Sequence, residues 1–128
     1  MRDVISTKQA PQAIGPYAQG RMAGNYLFSS GQSPLDPVSG ALVEGGITAQ
    51  AIQVMENLKQ ILVAAELGFD DVVKTTVFIT DMADFAAVNE VYARYFGDKL
   101  PARSCVAVAA LPKAARVEIE LVAYNSQG

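Results

Sequence analysis

The sequence predicts an α+β domain with a mixed sheet and two helices packed on one face of that sheet. The chain has 128 residues, a usual size for one domain. Apolar residues make up 51% and charged residues 18%, a balance that supports a packed core. The predicted elements run strands, helix, strand, helix, strands, the order expected of an α+β sheet. No repeat or linker divides the sequence, so we expect residues 1–128 to form a single domain.

Short strands are predicted in the N-terminal third, where proline and glycine recur and favour turns between strands. Residues 26–30 give the clearest of these strands, and residues 4–7 and 17–22 give weaker ones. Residues 36–40 (DPVSG) predict a turn, because Asp, Pro, Ser and Gly each suit turn positions.

Residues 48–67 predict the clearest helix. Its apolar side chains recur at i, i+3, i+4 and i+7, the spacing of one helix face. They are Ala51, Val54, Met55, Leu58, Ile61, Leu62 and Ala65. Thr48 is expected to cap the start of this helix, and Gly68 to take the left-handed conformation just past its end.

The C-terminal half predicts three further strands and a second helix. Residues 71–80 form the first strand, and side chains two residues apart should share a face. One face is expected to carry Val73, Thr75, Val77 and Ile79. A second helix follows from residue 83 or 84 to residue 96, and Gly97 ends it. Strands over 104–110 and 117–124 complete the chain.

The sheet face away from the helices should be exposed, yet it carries Val, Phe and Ala side chains. A large apolar face exposed on a protein usually marks an interface. The sequence therefore predicts a homo-oligomer.

Composition argues against several function classes. Ten basic against thirteen acidic residues give a net charge of −3, and the basic residues form no stripe, so nucleic acid is a poor partner. The chain has no histidine, which excludes Ser-His and Cys-His dyads and the usual His-containing zinc sites. General acid–base catalysis would therefore depend on carboxylates, Tyr, Lys or the backbone.

The compartment is expected to be the cytoplasm. One cysteine allows no internal disulfide. The first six residues (MRDVIS) lack the apolar stretch of a signal peptide, and no segment approaches the roughly 18 apolar residues of a membrane span. We therefore expect no membrane partner.

Arg103 lies close to the start of a predicted strand, on the same face as Cys105. A guanidinium there would hold a carboxylate by two parallel hydrogen bonds, which lysine would not reproduce. A surface arginine, or one paired with Asp or Glu, is the more common alternative. Cys105 is interpreted as a buried small side chain or a pocket wall. Nucleophilic catalysis is disfavoured because no histidine can act as its base.

Glu118 and Glu120 share one strand face and could supply an acid and a base, although a solvated strand face is the simpler interpretation. Tyr17 follows a rigid Gly-Pro turn. Gly31 ends a strand where backbone N–H groups could approach a ligand. Asn89 lies in the second helix, where a capping or packing role is equally open.

Taken together, these segments resemble the RidA (YjgF) family of imine deaminases. The matching stretches follow the family order over nearly the whole chain. They are residues 13–17 (AIGPY), 29–32 (SSGQ), 73–78 (VKTTVF), 88–92 (VNEVY), 101–106 (PARSCV), 111–113 (LPK) and 117–120 (VEIE). The run PARSCV followed by LPK and VEIE is highly specific, whereas GPY alone is not.

The resemblance implies a chorismate-mutase-like fold and a homotrimer with a central β-barrel and sites in clefts between subunits. It implies hydrolysis, without cofactor or metal, of 2-aminoacrylate/2-iminopropanoate and 2-iminobutanoate to 2-oxo acids and ammonia. Arg103 matches the family's carboxylate-binding arginine, and Glu118 matches the glutamate that positions and activates water. Four further residues match positions in or near the cleft, namely Tyr17, Gly31, Asn89 and Cys105.

Two departures from the family pattern bear on specificity. Many relatives carry Glu at the position of Ala107 and Arg at that of Ala110. Ala107 shares the face of Arg103 and Cys105, so substrate preference or pocket polarity is expected to differ.

Three other functions compete with this one. A non-enzymatic trimeric binding protein that senses 2-oxo acids would use the same arginine. An RNA-cleaving or translation-inhibiting protein is disfavoured by the charge of −3 and the lack of histidine. A chaperone-like holdase has no particular support in the sequence.

Overall fold

The computed structural model describes residues 3–127 and contains one six-stranded sheet and two α-helices. The elements in chain order are β1 (Val4–Ile5), β2 (Gly20–Ala23), β3 (Tyr26–Ser29), α1 (Gly46–Ala64), β4 (Val72–Ile79), α2 (Phe85–Phe96), β5 (Ala102–Ala107) and β6 (Val117–Tyr124). Three short 3₁₀ helices lie at Phe69–Asp71, Met82–Asp84 and Pro112–Ala114.

The sheet is mixed, with strand order β1-β2-β3-β6-β4-β5. Only β4 and β5 are parallel, and α2 makes the crossover connection that a parallel pair requires. β6, the last strand, lies in the middle between β3 and β4, whereas β5 lies at the edge. The predicted mixed α+β architecture is confirmed.

The core lies between the two helices and one face of the sheet. Every second residue of β6 from Val117 to Ala123 is buried, as are Val77 and Ile79 of β4. They pack with the apolar stripe of α1 and with Val88, Val91, Tyr92 and Phe96 of α2. Each such side chain contributes roughly 1.5–3 kcal/mol by leaving water. Both helices therefore cover the same sheet face.

A register shift at the start of β4 changes which side chains face the core. The pairing of β4 with β6 is irregular between Val72 and Lys74. An extra residue in one strand reverses the alternation on its far side. Val72 is therefore buried, whereas Val73 is 44% exposed. The prediction that Val73 shares the face of Val77 is wrong for this reason.

The ends of α1 also differ from the prediction. The N-cap is Gly45, with φ of 111°, rather than Thr48. After the helix, Glu66 takes the left-handed conformation with φ of 62°. The N–H of Leu67 then bonds to the carbonyl of Leu62 at 2.8 Å, which closes the last turn. Gly68 is extended, and its N–H is capped by Asp71 Oδ2 at 2.9 Å, so the prediction for Gly68 is wrong.

The second half of the chain follows the predicted boundaries more closely. β6 spans the predicted 117–124, and Gly97 ends α2 with φ of 57°. β5 begins two residues earlier than predicted and ends at Ala107 instead of residue 110. It ends there because its neighbour β4 stops at Ile79, whose carbonyl makes the last bond, to the N–H of Val108.

The sheet face away from the helices is exposed and partly apolar, as predicted. Tyr26, Phe28, Val106 and Tyr124 are each 39–47% exposed on this face. The rings of Tyr26 and Tyr124 pack against each other with centroids 5.0 Å apart. The homotrimer and its barrel, which would cover this face, stay predictions. Within residues 3–127, no helix is long and apolar enough to cross a membrane.

Candidate active site

An open pocket of about 350 Å³ lies beside the carboxylate of Glu118. Its walls come from the N-terminal loop, from the loop after β3, and from the 3₁₀ helix before β6. We call it the carboxylate pocket and define it by Tyr17, Gly31, Ser33, Lys113 and Glu118. Glu118 projects from β6 on the sheet face away from the helices, because its neighbour Ile119 is buried on the helix side.

The Glu118 carboxylate is held by the loop that follows β3. Ser33 Oγ donates a hydrogen bond of 3.1 Å to Glu118 Oε1. A Cβ at Gly31 would lie 2.8 Å from Glu118 Cδ and closer still to Oε2, so only glycine leaves room for the carboxylate there. Gln32 fixes this approach by exchanging two backbone hydrogen bonds with Ile119, of 2.8 and 3.2 Å.

Tyr17 forms the outer wall of the same pocket. Its backbone N–H bonds to the carbonyl of Gly15 at 2.8 Å, which makes the tight turn expected of a Gly-Pro sequence. Two residues on, the carbonyl of Gln19 accepts from the N–H of Ser30 at 2.9 Å, which joins this segment to the end of β3. The Tyr17 side chain is about half exposed, so a ligand can reach it.

Lys113 lies across the pocket in a strained turn. Lys113 and Ala114 both have positive φ, 58° and 59°, which costs a non-glycine residue roughly 1–2 kcal/mol. Lys113 Nζ donates to the carbonyl of Gly40 at 2.9 Å, which ties this turn to the loop before α1. Backbone strain of this kind often occurs at functional sites. Sequence reasoning gave Lys113 no role beyond a motif match.

Arg103 lies elsewhere, on the edge strand β5. Its guanidinium carbon lies 4.9 Å from the centre of the Tyr92 ring and 5.5 Å from that of Phe85. Its Nη1 donates a hydrogen bond of 2.6 Å to Asn89 Oδ1. These three residues belong to α2 or begin it, so one helix orients the guanidinium. Together with Cys105 we call Phe85, Asn89, Tyr92 and Arg103 the guanidinium cluster.

Burial and charge set the ionisation of this cluster. Burial raises the pKa of Tyr92, against the opposing effects of its hydrogen bond to Thr75 and of the Arg103 charge. Burial likewise raises the pKa of the Cys105 thiol, and Arg103 opposes the shift only in part. Both groups are therefore neutral near pH 7. A neutral thiol is a poor nucleophile, so Cys105 suits a pocket wall better than covalent catalysis.

Arg103 and Glu118 lie on opposite faces of the sheet. Arg103 is in register with Thr75, which is buried beneath α2, so both side chains face the helices. Glu118 is in register with Phe78, on the other face. Of the predicted site residues, the structure therefore brings Tyr17 and Gly31 to Glu118 within one chain, and Asn89 and Cys105 to Arg103. Arg103 and Glu118 therefore do not meet within a single chain.

Glu120, Ser33 and Asn57 also bear on the description of the site. Glu120 shares the face of Glu118 but does not line the carboxylate pocket, so the two do not act as a pair there. Among residues 3–127, no three His, Cys, Asp or Glu side chains are placed to hold a metal ion. Sequence reasoning missed Ser33 and Asn57. Asn57 had a signal, because it is a polar residue on the apolar face of α1 and is buried there.

Residues 7–125 match the family model described as Endoribonuclease L-PSP. The match covers almost the whole chain and includes both the carboxylate pocket and the guanidinium cluster. The chain belongs to the RidA (YjgF) family.

Curated RidA relatives and solved structures agree with this assignment. The 2-iminobutanoate/2-iminopropanoate deaminase of Mus musculus is 53% identical over 125 residues, which cover 98% of this chain and 93% of that protein. The Homo sapiens protein of the same name is 50% identical, with 98% and 91% covered. The crystal structure of E. coli TdcF with bound serine has 47% identity and a TM-score of 0.92, and the alignment covers 98% of this chain and 100% of that one. The structure of RidA from Psychrobacter sp. PAMC 21119 has the same identity and TM-score, with 96% and 99% covered.

Proposed function

We propose that this protein hydrolyses reactive 2-imino acids, 2-iminopropanoate and 2-iminobutanoate among them, to 2-oxo acids and ammonia. The observation that carries the proposal is the Glu118 carboxylate, which Ser33 and Gly31 hold at the wall of an open pocket. A fixed carboxylate facing solvent-accessible space is suited to orient a water and to accept its proton. Relatives about 50% identical carry the name of this activity.

The proposed site needs a second copy of the chain. Arg103 faces the helix side and Glu118 the opposite side, so a substrate that touches both must lie between two subunits. One copy would present the carboxylate pocket, and its neighbour would present the guanidinium cluster. An interface that joins two different patches is heterologous and closes into a ring when the rotation permits. This geometry and the exposed apolar sheet face both support the homotrimer that we propose.

Arg103 would bind the substrate carboxylate. Within residues 3–127, Asn89 is the side chain that accepts a hydrogen bond from this guanidinium, which leaves further N–H groups for a ligand. The rings of Tyr92 and Phe85 hold its plane by cation–π contact. A planar guanidinium fixed in this way can form two parallel bonds to a carboxylate and so align C2 of the substrate.

Glu118 would then act on water. The water oxygen attacks C2 of the protonated imine, the C=N π electrons move to nitrogen, and Glu118 accepts a proton from the water. The resulting carbinolamine has both a hydroxyl and an amino group on C2. Glu118 returns the proton to nitrogen and then accepts the proton of the hydroxyl, so that the C=O bond forms as the C–N bond breaks. That last proton passes from Glu118 to ammonia, which leaves as ammonium. One water is consumed for each 2-oxo acid and ammonia released. The protonated C=N is itself electrophilic, so the chemistry requires no cofactor.

A coupled turnover assay tests the proposal. Threonine or serine dehydratase generates the imine, semicarbazide traps what is left, and the trapped fraction is followed with and without the purified protein. We expect the wild-type protein to lower the fraction of imine that semicarbazide traps. The Glu118→Gln variant should lower that fraction far more slowly. Wild-type protein that leaves the trapped fraction unchanged contradicts the proposed activity. Light scattering measures the oligomeric state in the same preparation, and a monomer contradicts the composite site.

A non-enzymatic sensor of 2-oxo acids is the alternative that uses the same residues. It would bind 2-oxobutyrate by calorimetry without accelerating loss of the imine, so the turnover assay separates the two functions. RNA cleavage, the activity in the name of the family model, finds little support in this chain. The net charge is −3 and there is no histidine to act as acid or base.

A further inference from the structure

We infer that Asn57, on the helix side of the sheet, is a positioning residue for Glu118 and acts through the loop that carries Ser33. The inference rests on the proposed function, in which Glu118 holds the attacking water. Asn57 lies in the middle of α1 and lines no wall of the carboxylate pocket, so it has no contact with substrate in this scheme.

The Asn57 side-chain amide uses every one of its hydrogen-bonding groups. Its Nδ2 donates to the carbonyl of Ser33 at 3.1 Å and to that of Leu35 at 3.0 Å. Its Oδ1 accepts from Gln53 Nε2 at 2.9 Å, a residue one helical turn earlier. The residue is 1% exposed, so its polar atoms are satisfied by these bonds and not by bulk water. A buried amide on an apolar helix face is costly unless fully paired, and here both of its donors are committed to one loop.

The same loop, residues 31–35, also holds the Glu118 carboxylate. The carbonyl of Ser33 is held by Asn57, and the hydroxyl of Ser33 donates to Glu118 Oε1. Two residues earlier, Gly31 approaches the other oxygen of that carboxylate. Between them Gln32 pairs with Ile119, next to Glu118 in β6. The position of the loop therefore decides both the hydrogen bond to Glu118 and the space left around it.

Loss of the Asn57 amide should act on the chemical step and not on substrate capture. Without it, the carbonyls of Ser33 and Leu35 lose their buried donor and the loop must shift to recover partners. Glu118 would then lose the bond that fixes its carboxylate, and small displacements of a catalytic group have large effects on rate. Arg103 lies on the opposite face and is held by α2, so binding of the substrate carboxylate should be preserved.

Steady-state kinetics of a small set of variants tests this. We expect Asn57→Ala and Ser33→Ala each to lower kcat by about 10-fold with KM within about two-fold of wild type. Ser33→Thr, which keeps a hydroxyl, should restore most of kcat. Gln53→Ala leaves Asn57 in place without its orienting partner and should lower kcat by a few-fold. It serves as the milder variant if Asn57→Ala does not fold.

Tyr95→Phe is the matched control. It removes another hydrogen bond of α1, the 2.7 Å bond from Tyr95 to Glu56 Oε2, and neither residue lines the carboxylate pocket. It should lower the melting temperature and leave kcat unchanged. If Asn57→Ala and Tyr95→Phe both lower the melting temperature and neither lowers kcat, the role of Asn57 is structural and the inference is wrong.

Two further measurements separate this inference from the proposed function. In a Glu118→Gln background, Asn57→Ala should cause no further loss of kcat, and a full additional 10-fold loss overturns the inference. A crystal structure of Asn57→Ala, or of Gln53→Ala if that variant alone folds, should show the loop displaced and the Ser33–Glu118 bond broken. An unchanged Ser33–Glu118 bond overturns the inference. Absence of turnover in the wild-type protein overturns only the proposed function, and the crystal structure then still decides the inference.

Discussion

The carboxylate pocket and the guanidinium cluster are built in opposite ways. The pocket is made of loops, and its key carboxylate is fixed by a hydroxyl, a glycine and a backbone bridge to the central strand β6. The cluster lies on regular structure, with Arg103 on an edge strand and Phe85, Asn89 and Tyr92 on one helix. A single chain forms the walls of the carboxylate pocket, whereas Arg103 lies on the edge strand β5.

The difference between the two regions suits a site in which one region activates water and the other binds the substrate. In the proposed site, the loops around Glu118 would shape the space and position a proton acceptor. Strand β5 and helix α2 would present the Arg103 guanidinium to the substrate carboxylate. Arg103 and Glu118 lie on opposite faces of the sheet, so the proposed reaction, which uses both, depends on two copies of the chain.

Complementation between subunits has the largest expected effect. Arg103→Ala and Glu118→Gln should each lower kcat/KM by on the order of 100-fold, since charged hydrogen bonds worth about 3 kcal/mol are lost. When the two variants are unfolded and refolded together, about a quarter of the sites should regain both groups if each site joins two neighbours. The measurement is turnover of the mixture against each variant refolded alone. A mixture no more active than its parts contradicts a site shared between copies.

Gly31→Ala should lower kcat by about 10-fold, because the added methyl group would displace the Glu118 carboxylate. Gly68→Ala is the matched control, since a Cβ there meets nothing within 4 Å. Neither glycine has a positive φ, so the backbone tolerates alanine at both positions. Kinetics and melting temperature are measured for both variants. Equal kcat in the two would mean that the carboxylate does not depend on this close approach.

Tyr92→Phe should affect stability more than activity. The hydroxyls of Tyr92 and Thr75 share a buried hydrogen bond of 2.6 Å, and loss of one partner should lower the free energy of unfolding by about 1–3 kcal/mol. The ring beneath Arg103 is retained, so kcat/KM should change less than about three-fold. Denaturant unfolding and kinetics measure the two effects. Tyr92→Phe combined with Thr75→Val should be less destabilised than Tyr92→Phe alone, because no hydroxyl is then left unpaired.

Slow alkylation of Cys105 is the smallest expected effect. Burial raises the pKa of this thiol, so at any pH below that pKa the reactive thiolate is scarcer than in an exposed cysteine. Iodoacetamide should therefore modify the folded protein more slowly than the urea-unfolded protein at pH 8, and the rate should keep rising at higher pH. Mass spectrometry follows the single cysteine. Faster modification of the folded protein at pH 6 would instead indicate an activated thiol.

Local pattern accounts for the parts of the fold that the sequence predicted well. Strict alternation of apolar residues located β6, and an apolar stripe followed by Gly97 located α2 and its end. The errors arose where distant partners decide the outcome. Val73 is exposed because of how β4 pairs with β6, and β5 ends where β4 stops. Asn57 was overlooked because its partners are the carbonyls of a loop 22 and 24 positions away in the chain.

The order of amino acids alone established which residue types are available for chemistry and on which elements they lie. It placed Arg103 with Cys105 on one strand face, and Glu118 with Glu120 on one face of another strand, because alternation within a strand is a local property. That these two faces point in opposite directions emerges only in the folded chain. That depends on strand order and on the side that the helices cover, and both are set by the burial of apolar area from the whole chain at once.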